Sequence, residues 1–96
     1  MEIIFEVIDK KGRKIRLTKK QWSHIRIEHK DFIEQEDIKK AITNSIKIVS
    51  HEIEDVQDHY LYFKHRKSRS KYLKVVVKYL NGEGFIITAY FVPYIN

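Results

Sequence analysis

The chain has no cysteine, a single proline and only three glycines in 96 residues. The missing thiols exclude disulfides, thiolate zinc sites and cysteine nucleophiles. With so few chain breakers there is no linker or low-complexity tract, so one domain over residues 1–96 is expected. No apolar run approaches membrane-spanning length, and no membrane partner is expected. The opening stretch MEIIFEVIDKKG mixes acids into its apolar run and has neither a basic n-region nor a small-residue cleavage site. A secretory leader is therefore not expected, and a cytoplasmic setting is.

Hydrophobic residues make up 43% of the chain, enough for one core, and charged residues 33%. Lysine and arginine number 19 against 13 acids, a formal net charge of +6. Such a surface favours anionic partners, nucleic acid above all, although an ordinary solvated lysine-rich surface has the same composition.

Periodicity and turn residues divide the chain. EIIFEVID and RKIRL read as strands of a hairpin joined through Lys10, Lys11 and Gly12. Thr18 reads as a helix N-cap with Gln21 completing a capping box, and the helix is expected to run to about Lys30. A second helix, EQEDIKKAITN, has an acidic first turn, a basic later part, and Ile38, Ala41 and Ile42 at helical spacing. Asn44 is its expected stop. SIKIVSH, HYLYFKHR, YLKVVVKYL and FIITAYFV follow as strands, the last two joined by NGEG, a hairpin turn signal. The order ββααββββ predicts an α+β fold: an N-terminal hairpin, then two helices packed on a four-stranded antiparallel sheet.

Strand alternation sorts the side chains. Leu61, Phe63, Leu73, Val75, Val77 and Tyr79 fall on the apolar face, as do Phe85, Ile87, Ala89 and Phe91. The opposite face collects Tyr60, Tyr62, Lys64, Tyr72, Lys74, Lys78, Thr88 and Tyr90. Lysines there could hold phosphates and tyrosine rings could stack bases. Lysine and tyrosine also suit the wet side of a half-exposed sheet.

The stretch RLTKKQWSHIRIEHKDF holds the other candidates. At helical pitch Trp22, Ile25, Arg26 and His29 share one side and His24 lies nearly opposite Trp22. The histidines are five apart, whereas paired helical metal ligands are usually four apart, so no metal is expected. His29, near the helix C-terminus, is placed where a protonated imidazole is favoured, or where it simply caps carbonyls. Arg26 is a phosphate clamp or a surface ion-pair partner. His51, His59 and His65 belong to the strand region. The basic run from Lys64 through Arg66 to Lys71 is a phosphate contact or a solvated turn.

LTKKQWSHIRIEHKDF, the second helix, YLYFKHR, YLKVVVKYL and the terminal GFIITAYFV together resemble the barnase–EndoU–colicin–RelE-like nuclease superfamily, closest to a phage-linked branch. The resemblance runs from about Thr18 to Val92. Relatives commonly have proline where this chain has Lys30 and Ser45. The resemblance implies metal-independent cleavage of single-stranded RNA, with matching positions at His24, His29, Lys74, Thr88 and Tyr90. Such a reaction uses the 2′-hydroxyl as nucleophile and needs a base, a cation for the phosphorane and an acid for the leaving oxygen. His29 is expected as acid or base, with Lys74 and Arg26 on phosphate, Thr88 and Tyr90 donating hydrogen bonds, and Tyr60 or Tyr62 stacking a base. Lys64, Arg66 and Lys78 are further expected RNA contacts. If His29 points into the core and cannot reach that face, His24 is the better candidate.

No cofactor is needed. RNA is the expected partner, and a toxin-like element would also have a cognate inhibitor protein. Two other classes fit the same residues: a nucleic-acid-binding module without catalysis, and a protein-interaction module that pairs through a sheet edge.

Overall fold

The computed structural model describes residues 2–28, 33–52 and 55–95. His29 and Lys30 lie outside the described residues, so the expected catalytic His29 has no described position.

The element order is β1 (Ile3–Ile8), β2 (Lys14–Thr18), α1 (Lys19–Glu28), α2 (Gln35–Thr43), β3 (Lys47–Ser50), β4 (Val56–Tyr62), β5 (Tyr72–Leu80) and β6 (Glu83–Val92). This is the expected ββααββββ order in an α+β fold. The sheet differs from expectation. It has six strands in the order β1-β2-β6-β5-β4-β3, because the N-terminal hairpin joins it. The joint is β2 beside β6, a short parallel pairing of Ile15 with Gly84 and Arg16 with Phe85, so the sheet is mixed and not purely antiparallel. Gly84 permits this approach. A Cβ there would lie 2.9 Å from side-chain carbons of both Ile15 and Val77.

Local chemistry explains the boundaries. The Gln21 N–H donates to Thr18 Oγ1 at 3.2 Å, the cap that starts α1. The Asn44 N–H donates to the Lys40 carbonyl and closes α2. Asn81 and Gly82 have φ of 54° and 80°, as the tight β5–β6 turn demands.

Both helices cover one face of the sheet. Ile25 of α1 and Ile38, Ala41 and Ile42 of α2 join Ile15, Leu17, Leu73, Val75, Val77, Ala89 and Phe91 in one buried cluster. Alternation assigned β4 and β5 to the correct faces but slipped in part of β6. Val76 pairs with Thr88 and Val77 with Ile86, leaving Ile87 as an extra residue. This bulge turns Ile86 into the core at 1% exposure, while Ile87 is exposed. No helix of the described residues is long and apolar enough to cross a membrane.

Candidate functional site

The face of the sheet opposite the helices is built in cross-strand rows. One row is Tyr60, Lys74 and Tyr90; the next is Asp58, Val76 and Thr88. Residues two apart on a strand share a face, so the rows stack directly along β4, β5 and β6. Lys74, Thr88 and Tyr90, expected from the sequence, are therefore brought together.

Lys74 is the centre. Its side chain is mostly buried, and its ammonium interacts with the side chains of Tyr60 and Tyr90. It stands 5.4 Å from the centre of the Tyr90 ring and 3.5 Å from Asp58 Oδ2. Burial opposes the charge on Lys74, but the Tyr90 hydroxyl and the Asp58 carboxylate outweigh it and raise its pKa. Burial also raises the Tyr60 pKa.

His51 is the histidine that reaches this cluster. Its Nε2 lies 3.0 Å from the same Asp58 Oδ2, and its side chain is half exposed. The β3–β4 hairpin makes the approach: His51 follows the end of β3, and its N–H donates to the Val56 carbonyl. Asp58 is buried and its Oδ1 has no hydrogen-bond partner.

Of these two residues, residue spacing carries a signal for one. Asp58 shares the parity of Tyr60 and Tyr62, which could have flagged an acid on the lysine face. His51 is linked to it only through hairpin register.

The other expected residues differ in where they stand. His24 is half exposed on α1, 3.5 Å from Glu28, and α1 packs on the helix-covered face. Arg26 is exposed on the same helix, its guanidinium 5.9 Å from the centre of the Trp22 ring. Arg66 is engaged by the helix-side core, 3.6 Å from the centre of the Phe91 ring, and donates to the Ser70 carbonyl. Lys64 and Lys78 are exposed. Tyr60 cannot stack a base: its ring is 1% exposed, and it serves Lys74 through its hydroxyl. Tyr62 is exposed and packs 5.0 Å from Tyr72, ring centre to ring centre, leaving a pair of rings beside the cluster.

A second polar network lies on the helix side. His59 is fully buried, with Nε2 2.7 Å from the Tyr79 hydroxyl, which donates to Asp9 Oδ2 at 3.2 Å. With the phenolic proton given to Asp9, His59 is the donor to Tyr79. Burial pushes the His59 pKa down to about 4 and the Tyr79 pKa up. Burial also works against an ionised Asp9, but N–H groups of Arg13 and Lys11 and the Arg13 guanidinium outweigh it and lower its pKa. Arg13 then lies 3.8 Å from the centre of the Tyr79 ring and donates to Gln57. This network leaves His59 Nδ1 without a partner and is neutral at the imidazole, a structural joint between the first hairpin and β4–β5.

Among the described residues no three histidine, aspartate or glutamate side chains converge to hold a metal. A family model described as a domain of unknown function (DUF4258) matches residues 25–91, a span that includes the whole Lys74 cluster. No curated protein and no solved structure matches the chain.

Proposed function

The chain belongs to the DUF4258 family, a domain of unknown function, and from the geometry of its open sheet face we propose an endoribonuclease that cleaves single-stranded RNA through the 2′-hydroxyl. The observation that carries the proposal is Lys74, held charged between two tyrosine hydroxyls and a buried carboxylate, with a histidine on that same carboxylate oxygen.

Each group has a task. Asp58 orients His51 through Nε2, leaving Nδ1 to take the proton of the 2′-hydroxyl. The 2′-oxygen bonds to phosphorus as the phosphorus–O5′ bond breaks. Lys74 offsets the charge that builds on the phosphorane oxygens. Tyr90, beside that ammonium, gives its proton to the leaving 5′-oxygen, and the proton held by His51 returns to it through solvent, restoring both groups. The products are a 2′,3′-cyclic phosphate and a 5′-hydroxyl. Thr88 stands one row away as a further hydrogen-bonding group, and Tyr62 is the exposed ring for stacking. His51 thus takes the part that sequence reasoning gave to His24 or His29.

Cleavage of a labelled single-stranded RNA in EDTA tests this. His51→Ala and Lys74→Met should each slow cleavage by about 10²-fold or more, the range for loss of an acid–base or charge-stabilising group. The matching DNA should stay intact. Undiminished cleavage by either variant removes that residue from the mechanism.

A second reading is a nucleic-acid-binding module without catalysis. The Lys74 ammonium and the exposed Tyr62–Tyr72 ring pair could hold phosphate and base with no proton transfer. Salt-sensitive binding with RNA intact after incubation distinguishes it.

A further inference from the structure

The open face continues past the Lys74 cluster into a hollow of about 760 Å³ between β2, β6, β5 and the start of α1. Its floor is hydrocarbon from Leu80, Phe85 and Ile87, and Leu80 and Ile87 are 58% and 37% exposed. The β6 bulge creates it, because the extra residue turns Phe85 and Ile87 away from the helices.

Its lining carries four cations, Arg16, Lys19, Lys20 and Lys78, against one acid, Glu2. Among the lining cations, Arg16 is held by Glu6 and Glu83, and Lys19 by Glu2. Lys20 and Lys78 also line it, and no acid among the described residues pairs with either. Lys78 lies on the same strand and face as Lys74, four residues on, which is about 13 Å along β5. It sits directly across from Phe85. Cations that no described acid pairs, beside an apolar floor and in line with Lys74, match a planar ring carried on a polyanion.

We propose that this hollow is a nucleobase subsite. It seats the base of a nucleotide flanking the cleaved bond, and Lys78 and Lys20 hold the neighbouring phosphates. This rests on the reading of the open face as an RNA site.

The test is fluorescence anisotropy with a labelled eight-nucleotide RNA, run beside the cleavage assay on the same protein. Leu80→Ser with Ile87→Thr should weaken binding at least fivefold with the melting temperature nearly kept, since both side chains are exposed. Ile87→Thr alone serves if the pair does not fold, with a smaller loss in the same direction. Lys78→Ala should weaken binding and lower the salt slope by about one phosphate contact. An RNA abasic at alternate positions should bind the wild type more weakly and no longer distinguish it from the apolar variants. Apolar variants that bind like the wild type overturn the base seat, whatever the lysine variant does. Wild-type protein that binds and does not cleave keeps the subsite and removes the nuclease reading. No binding to RNA removes both.

Discussion

His59 is a base kept neutral by its surroundings. Asp9 and Asp58 favour its charge and Arg13 and Lys11 oppose it, but burial dominates and its pKa falls from 6.5 to about 4. The unfolded chain therefore binds the extra proton first as pH falls. Stability is full above about pH 6.5 and declines toward pH 4, by at most about 3 kcal/mol. Asp9, whose pKa is lowered below 3.8, contributes its own loss only at still lower pH, so the two windows separate. Urea unfolding at several pH values should show this slope, and His59→Gln should flatten it while lowering stability at pH 7. A wild-type profile flat from pH 7 to 4.5 contradicts the buried neutral imidazole. At this scale the sequence was informative about direction and poor on depth. Alternation put Tyr60, Lys74 and Tyr90 on one face, but nothing in it revealed that Tyr60 is covered while Tyr62 is exposed.

The elements were legible where a local cause sets them. The Thr18 cap, the Asn44 stop and the Asn81–Gly82 turn depend on residues within one turn of each other, and each is found where the residue types call for it. Thr18→Ala should cost about 1 kcal/mol, measurable by thermal melting, because the Gln21 N–H loses its acceptor. The bulge in β6 was not legible. Both parities of FIITAYFV carry large apolar groups, so alternation had no contrast to read until β5 supplied the register. The His51–Asp58 pair was hidden for a related reason: its partners meet through hairpin pairing across a seven-residue separation.

For the whole molecule, the largest surprise is the parallel seam between β2 and β6. It covers an edge of the central hairpin that would otherwise offer its backbone groups to another chain. It also supplies one wall of the apolar hollow through Arg16 and Thr18. Gly84→Ala should destabilise the fold by about 1–3 kcal/mol, since the added methyl meets packed carbons from three side chains. Equilibrium unfolding of the variant measures it, and a change under half a kcal/mol, about the scatter of a neutral surface substitution, speaks against a tight seam. The net charge of +6 acts at the same scale. With Lys74, Lys78 and Lys20 on phosphates, the logarithm of RNA affinity should fall against the logarithm of salt with a slope of about −2. A slope near zero would leave the basic surface without a role in binding.

The seam also imposes an order on biosynthesis. Ile15 and Arg16 leave the ribosome well before the backbone they dock against, Gly84 and Phe85. Until then the nascent hairpin has no neighbour on that side and must keep its apolar residues from other surfaces by itself, or with a chaperone's help.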